Sequence, residues 1–182
     1  MNGTTPQLSV VIPCLNEAAR LPLLLADLQR SATVPEILLA DGGSSDATPE
    51  IADLTGAGLI RIHPAGRGRQ LRVAAAEAHG DWLLFLHADS RLSAQWSRVL
   101  TTLMQGSSAS RSAWYFDLRI NPSTPARRLL EKGVNLRSRW LQRPYGDQGL
   151  MLHRSLYQRC GGFAELPLME DLDLVERLSR IS

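Results

Sequence analysis

The amino-terminal half of the chain alternates four times between short apolar runs and helix-like segments, and this alternation constrains the fold more than any other feature. Each apolar run is short and is followed by a turn or a helix start, which favours a buried strand. The four runs are Leu8 to Pro13, Glu36 to Ala40, Leu59 to His63 and Trp82 to His87. Helical patterns follow the first three, beginning at Asn16, at Thr48 and at Arg67, the last continuing to His79 before Gly80.

Strands spaced by roughly 25 residues with helices between them are typical of right-handed βαβ units. We therefore expect an α/β fold, a three-layer α/β/α sandwich with a mostly parallel, Rossmann-like sheet. After Ser90 the pattern becomes irregular, and it predicts three helices and two strands. The helices are Trp96 to Met104, Pro125 to Leu141 and Asp171 to Arg180, and the strands are Ala113 to Ile120 and Gly149 to His153.

Composition limits the class of protein. With 182 residues, 44% hydrophobic and 21% charged, the chain fits one globular domain. Cys14 and Cys160 fit no metal-binding spacing, so we expect reduced, buried thiols in a cytoplasmic protein. The sequence begins without a signal-peptide pattern, and its apolar runs are too short to span a bilayer.

The charge is unevenly distributed. From Arg98 to Arg159 there are eleven lysines and arginines against three acids. A basic region of this kind suits phosphate-bearing ligands or an anionic membrane surface, and it is equally typical of a solvated helix face. The helix predicted over Pro125 to Leu141 is basic and amphipathic, which is compatible with peripheral contact at the inner face of the membrane and with a lipid-linked acceptor. Few aromatic residues are interleaved with these arginines, which argues against nucleic acid as a partner.

Two acids follow different predicted strands. Asp41 opens the turn Asp41 to Asp46, and Asp89 ends the segment His87-Ala88-Asp89. Ligands of parallel sheets bind beyond the carboxyl ends of the strands, so both acids are placed to meet one ligand. We expect Asp41 to lie on an exposed strand edge and to accept hydrogen bonds from a base or ribose. Asp89 could hold Mg²⁺ or Mn²⁺ with diphosphate oxygens, while His87 either ligates the ion or packs at the strand end. Asp46 is expected to cap the next helix.

Two further segments carry charge at predicted helix starts. Arg67 and Arg69 lie at the opening of an Ala-rich helix, where free amides and cations suit a diphosphate. Glu170 and Asp171 open the last helix, where acids are favoured by the helix dipole alone, so a catalytic role and a structural role both stay open. Tyr145, Asp147 and Gln148 fall in a loop that could shape an acceptor pocket.

Taken in order, these segments resemble family 2 glycosyltransferases. The matching motifs are Pro13-Cys14-Leu15-Asn16-Glu17, the turn from Asp41 to Asp46, Ala74 to Asp81, His87-Ala88-Asp89, Gly161-Gly162-Phe163 and Glu170-Asp171. A small subgroup of the family is similar over Leu84 to Asp89, Pro144 to Gln148 and Pro167 to Asp171. The resemblance implies a glycosyltransferase A fold, with residues 1–90 as the nucleotide-binding half and residues 91–182 as the acceptor-side half.

The resemblance also implies an inverting transfer of a sugar from a nucleotide-diphosphate sugar to an acceptor hydroxyl. Asp171, with Glu170 beside it, would act as the base, and a divalent cation would be held by Asp89 with His87. Contacts with the nucleotide sugar would come from Pro13, Asn16, Glu17, Asp41, Arg67, Arg69 and Ala88. His87 stands where the family has the first Asp of its metal motif, and Arg72 stands where it often has Asn. Members usually continue beyond the last helix, which leaves open whether the chain is shortened at its carboxyl end.

Two other functions fit parts of the pattern. A nucleotidyltransferase can use a similar sheet and metal site, but it usually carries a Gly-rich basic loop after the first strand, where this chain has Pro13 to Glu17. A catalytically silent nucleotide-sugar-binding protein would be compatible with His87 in the metal motif.

Overall fold

A computed structural model describes residues 7–31, 34–117 and 148–181 of the chain. In chain order the elements are β1 Leu8–Cys14, α1 Leu21–Gln29, β2 Glu36–Asp41, α2 Thr48–Thr55, β3 Gly58–Arg61, α3 Arg67–Glu77, β4 Trp82–Phe85, α4 Trp96–Met104, a 3₁₀ turn Ala109–Arg111, β5 Ala113–Trp114, β6 Leu150–His153, α5 Arg154–Arg159 and α6 Glu170–Leu178. The helix predicted over Pro125 to Leu141, together with Tyr145 and Asp147, lies outside the described residues.

The strands form one sheet in the order β3-β2-β1-β4-β6-β5. The pairs β1–β2, β2–β3 and β1–β4 are parallel, whereas β6 is antiparallel to both β4 and β5. The chain runs outward from β1 to β3 and then returns to place β4 on the other side of β1. This reversal creates a switch point between β1 and β4, where open α/β sheets bind ligands. The predicted α/β fold with a mostly parallel sheet is confirmed.

Both faces of the sheet are covered. Successive residues of a strand point to opposite faces, and in β1 Val10 and Ile12 join one core cluster while Val11 joins the other. The first cluster takes its helix residues from α1, α2 and α4, and the second takes them from α3, α5 and α6. The described residues therefore form the expected three layers, and the near-continuous apolar runs of the central strands are explained by burial on both sides.

The first helix begins later than its pattern predicts, at Leu21 rather than Asn16. Asn16 has a positive φ of 57°, and the backbone amides of Asn16, Glu17 and Ala18 donate to side chains of residues 44–48. These long-range hydrogen bonds satisfy the amides without a helix, so tertiary contacts override the local pattern.

Other boundaries differ by a few residues. β4 ends at Phe85 because residues 87–90 turn back, with Ser90 N donating to the His87 carbonyl at 3.0 Å. α3 ends at Glu77, and α5, which the pattern did not predict, follows β6 directly. Of the strand predicted from Ala113, only Ala113–Trp114 is paired, and its last three residues lie outside the described ranges.

Both cysteines are unpaired and buried, as predicted. Burial, together with the nearby carboxylates of Glu17, Asp41 and Asp46, raises the pKa of the Cys14 thiol to about 12. Among the helices that the structure describes, none is long and apolar enough to cross a bilayer.

Candidate active site at the carboxyl edge of the sheet

The loops after β1 and β2 are joined by hydrogen bonds at the carboxyl edge. Asn16 makes three of them: its amide donates to Ser44 Oγ at 2.9 Å, and its Oδ1 accepts from Ser45 N at 2.9 Å and from Ser45 Oγ at 3.3 Å. Glu17 N donates to Thr48 Oγ1 at 2.9 Å. The predicted nucleotide-binding residues Asn16 and Glu17 therefore belong to one hydrogen-bonded, polar rim beside the switch point.

Asp46 has a structural role at the start of α2, one residue before the N-cap position where it was expected. Its Oδ1 accepts from Thr48 N at 3.0 Å, in the first turn of α2, and its Oδ2 accepts from Ala18 N at 2.9 Å. The hydrogen bonds to Thr48 and Ala18 lower the pKa of this carboxyl. Asp46 thus holds the first residue of α2 and fastens the two loops at once, whereas the N-cap position itself is Ala47, which has no side-chain cap.

Asp41 is placed differently from the expectation. The predicted exposed edge position is wrong, because Asp41 is only 1% exposed. Its carboxylate accepts from Gly43 N at 3.2 Å and from Ser44 N at 3.1 Å, and Ser44 Oγ donates to it as well. Gly43 has a φ of 97°, a conformation that glycine adopts without strain, and this allows the turn to fold back over the carboxylate. Asp41 therefore shapes the loop, and a contact with a nucleotide stays a prediction.

Gln70 organises the same edge and was not singled out from the sequence. Its Nε2 donates to the carbonyls of Cys14 at 2.9 Å and Ala40 at 2.6 Å, so one amide ties α3 to the ends of β1 and β2. Gln70 is 5% exposed, beside the buried Leu71, Ala74 and Ala75 of α3. A polar residue on the buried stripe of an Ala-rich helix was the available signal, since such a residue needs a buried partner.

Arg67, at the first position of α3, connects two of the predicted site segments. Its Nε lies 3.1 Å from Glu170 Oε1, and its Nη2 contacts His87 Nε2. A guanidinium has only donors, so His87 Nε2 is the acceptor in this contact. Ligation of a metal through His87 Nε2 would require this contact to break.

Glycine at position 68 makes the approach of α3 to the segment before α6 possible. A Cβ on Gly68 would lie 2.2 Å from the Ala164 carbonyl oxygen and 3.3 Å from Glu170 Cβ. No side chain fits at the first of these distances, so the start of α3 packs against backbone. This close contact brings Arg67 and Glu170 together. Arg69, the residue after Gly68, is half-buried.

Asp89 is exposed, in the turn that follows β4, next to the buried Ala88. The segment after it is anchored to α1, where the buried Asp27 accepts from Arg91 Nε at 2.7 Å and from Leu92 N at 3.0 Å. In the part of the chain that the structure describes, no group of three or more His, Cys, Asp or Glu side chains could hold a metal ion. Protein ligands here would thus be few, and ligand oxygens would have to complete the shell of a hard cation.

Glu170 and Asp171 differ sharply in their surroundings. Glu170 is 2% exposed and is paired with Arg67, whereas Asp171 is half-buried and lines an open cleft with Pro13, Arg67 and His87. The remaining described residues of the cleft wall are Leu71, Phe85, Leu86, Gly149, Leu150, Phe163 and Val175. A carboxylate, a guanidinium and an imidazole therefore meet over an otherwise apolar floor.

The Gly161-Gly162-Phe163 turn is held by two arginines. Arg72 Nη1 donates to the Phe163 carbonyl at 3.1 Å, and Arg177 Nη2 donates to the Gly162 carbonyl at 2.7 Å. Arg72, which stands where the family often has Asn, thus fastens this turn to α3. Gln148, predicted to meet an acceptor, is 2% exposed, and its Nε2 donates to the Phe116 carbonyl at 3.1 Å.

Residues 9–163 match the family model described as "Glycosyl transferase family 2". A curated relative, the PGL/p-HBAD biosynthesis glycosyltransferase of Mycobacterium bovis, is 38% identical over 94 residues, which cover 48% of this chain and 37% of the relative. The chain therefore spans well under half the length of this relative.

Solved structures share the fold at low identity. The structure of S. aureus TarS 1-349 in complex with UDP-GlcNAc has a TM-score of 0.76 and 17% identity, covering 94% of this chain and 53% of that one. Glucosyl-3-phosphoglycerate synthase from Mycobacterium tuberculosis, in complex with Mn²⁺, UDP and glucosyl-3-phosphoglycerate, has a TM-score of 0.69 and 22% identity, covering 97% and 66%.

Proposed function

Because the chain belongs to glycosyl transferase family 2, we propose that it transfers a sugar from a nucleotide-diphosphate sugar to an acceptor hydroxyl, with inversion at the anomeric carbon. The observation that carries the proposal is the cleft at the switch point, where Asp171 and Arg67 line one opening. A proton acceptor and a cation in one cleft suit a reaction that deprotonates a hydroxyl and releases an anion.

The donor's nucleoside would lie along the rim formed by the loops after β1 and β2. This placement is supported by the exposed or half-buried polar residues Asn16 and Glu17 and by Pro13, which lines the adjacent cleft. The diphosphate would lie near the start of α3, where Arg67 and Arg69 add charge to the helix dipole. Bound UDP-GlcNAc in one structural neighbour and bound UDP in another favour a uridine nucleotide as the first donor to test.

The residues present fit a divalent cation, Mg²⁺ or Mn²⁺, at Asp89. This carboxylate is exposed, and no hydrogen bond from another described residue occupies it. The bound cation would offset the charge of the departing diphosphate. Asp27, through Arg91 and Leu92, would keep the backbone after Asp89 in place. His87 would contribute to metal binding only if Nε2 left Arg67 or if Nδ1 were used.

Asp171 would act as the base. As the acceptor oxygen forms its bond with the anomeric carbon, its proton passes to the Asp171 carboxylate, and the bond between that carbon and the diphosphate oxygen breaks. The nucleoside diphosphate leaves from the opposite face, which inverts the configuration. Arg67 stabilises the negative charge that develops on the leaving group.

The acceptor would enter over the apolar floor of the cleft. Phe163, Val175 and Leu150 lie on its wall together with Asp171, which favours an acceptor with an apolar part beside the reacting hydroxyl, as in a lipid-linked alcohol. Tyr145 and Asp147 are proposed as acceptor contacts from the sequence alone. Gln148 would support that loop from its buried position.

A donor screen tests the proposal directly. Thermal shifts of the chain with uridine, guanosine, thymidine, adenosine and cytidine diphosphates and their sugars, each with Mn²⁺ or Mg²⁺, identify the donor. Radiolabelled donor is then incubated with and without alcohol acceptors, and the anomeric configuration of the product is read by NMR. Binding without release or transfer of sugar favours the silent binding protein, and incorporation of the nucleotide itself favours a nucleotidyltransferase.

A further inference from the structure

We propose that Glu170 is a positioning residue that holds Arg67 against the donor diphosphate, and that it is not the proton acceptor of the reaction. This inference rests on the proposed function, since it assumes a diphosphate in the cleft. It separates the two neighbouring acids at the start of α6 into different tasks.

The burial of Glu170 argues for this role. Its side chain is 3% exposed, whereas that of Arg67 is 37% exposed, and Nε lies 3.1 Å from Oε1. A buried carboxylate is costly unless a cation compensates it, so Glu170 fixes where the guanidinium must stay. Glu170 is absent from the described wall of the cleft, and an acceptor hydroxyl in the cleft therefore meets Asp171 first.

The Arg67–Glu170 contact is an ion pair without a well-angled hydrogen bond. Nε and Oε1 are both buried, yet neither has a well-angled hydrogen-bond partner among the described residues. The pair is thus held by charge more than by geometry. At the other end of the guanidinium, His87 Nε2 accepts from Nη2, and no described residue accepts from Nη1. Two contacts fix the plane of the group while one donor edge is left for an anion in the cleft.

Packing of the backbone supports the same arrangement. Gly68 packs against the Ala164 carbonyl, which holds the start of α3 close to the segment before α6, so the backbones of Arg67 and Glu170 cannot separate unless α3 or α6 moves. A residue that only balanced the helix dipole would need no such partner. Asp173, also in the first turn of α6, is an internal comparison, because its arginine partner is Arg177 on the same helix, 2.6 Å away and outside the cleft wall.

The test compares UDP with UMP as probes, measured by calorimetry on the full chain with Mn²⁺. If Arg67 contacts the second phosphate, Glu170→Gln should lose about tenfold in UDP affinity, equivalent to about 1.4 kcal/mol, while UMP affinity stays within twofold. The double variant Arg67→Met with Glu170→Gln removes both charges together and so avoids an unpaired buried carboxylate. It should show at least the same loss for UDP, again without loss for UMP. The control Asp173→Asn should change neither affinity.

Kinetics separate positioning from proton transfer. We expect Glu170→Gln to raise the donor KM and to lower kcat modestly, and Glu170→Asp to recover part of the loss because it keeps the charge. If Glu170→Gln keeps the UDP to UMP affinity ratio of the parent, the positioning role is refuted, and a collapse of kcat at unchanged ratio would make Glu170 the base. If the parent binds no nucleoside diphosphate at all, the proposed function itself fails, and this inference fails with it.

Discussion

Asp27 offers a quantitative test of how the backbone after the proposed metal ligand is held. It lies in α1, is 1% exposed, and accepts from Arg91 Nε at 2.7 Å, from Arg91 Nη2 at 3.2 Å and from Leu92 N at 3.0 Å. Arg30 Nη2 also lies 2.5 Å from its carboxylate. Replacing this acid by Asn keeps the size of the side chain and removes the charge that four donor contacts share.

The magnitude follows from these contacts. A hydrogen bond to a charged group contributes about 1.5–3 kcal/mol, and breaking a fully buried ion pair costs about 3–5 kcal/mol. Arg91 and Arg30 are 57% and 58% exposed, so water screens both pairs and the upper values do not apply. We expect Asp27→Asn to lower the free energy of unfolding by about 2–3 kcal/mol, or roughly 4–12 °C in Tm for a chain of this size.

The same substitution should also change how the free energy of unfolding depends on pH. Burial alone would raise the pKa of Asp27, but the hydrogen bonds from Arg91 and Leu92 and the charges of Arg91 and Arg30 lower it overall. A lowered folded-state pKa stabilises the protein above the unfolded value of about 3.9, and this stabilisation is lost as the pH falls through the folded pKa. The difference between parent and Asp27→Asn should thus be full at pH 7 and shrink below about pH 4.

Urea unfolding at several pH values measures both quantities. Asp53→Asn is the matched control, because Asp53 is exposed on α2 and makes no ion pair among the described residues, and it should change stability by less than about 0.5 kcal/mol. A loss for Asp27→Asn no larger than that of the control, or one that grows as the pH falls below about 4, would show that Asp27 does not hold this segment through its charge.

Two further predictions follow from packing. Gly68→Ala should cost about 2–3 kcal/mol and weaken UDP binding, because its Cβ would meet the Ala164 carbonyl, whereas Gly66→Ala, whose Cβ would lie 3.9 Å from its nearest neighbour, should cost little; urea titration and calorimetry of both variants check this. Cys14 and Cys160 should react slowly with a thiol reagent in the folded chain, because burial raises the pKa of both, and quickly in urea; rapid reaction of both in the native state would contradict their placement.

Much of the fold follows from local pattern. The alternation of apolar runs and helices predicts β1 to β4 and the mostly parallel sheet, because strands buried on both faces must be apolar throughout. The sequence also predicted the places of Asp41 at the end of β2 and of Asp89 soon after β4, since each acid comes directly after or close to the end of an apolar run.

What the pattern missed depends on contacts distant in sequence. The pattern predicted a helix start at Asn16, but the Asn16 side chain accepts a hydrogen bond from Ser45 N, and α1 begins only at Leu21. The exposure of Asp41 could not be predicted, because it is the fold of its own turn that buries it. Gln70 and Asp27 were signalled only as polar residues within apolar helix stripes, and their partners lie on other elements.

The adjacent acids show the same limit at the candidate site. Sequence places Glu170 and Asp171 together at the start of one helix, and the helix dipole explains both equally well. Only the packing of α3 against α6 separates them, burying Glu170 beside Arg67 and leaving Asp171 on the cleft. The side chains of successive helix residues project in different directions, so the sequence alone does not indicate which of two adjacent acids meets a ligand.

The most direct test of Asp171 as the base is the rate of sugar transfer by Asp171→Asn, measured beside its donor affinity once the donor screen has identified the donor and the acceptor. Asn keeps the size of the side chain and removes the proton acceptor, so we expect donor affinity within about threefold of the parent and transfer slower by roughly 10²–10⁴-fold, the usual contribution of a positioned general base. Transfer within about threefold of the parent would show that Asp171 is not the base and would leave Glu170 or Asp147 as the next candidates. Loss of donor binding would instead place Asp171 in the nucleotide site and overturn the mechanism.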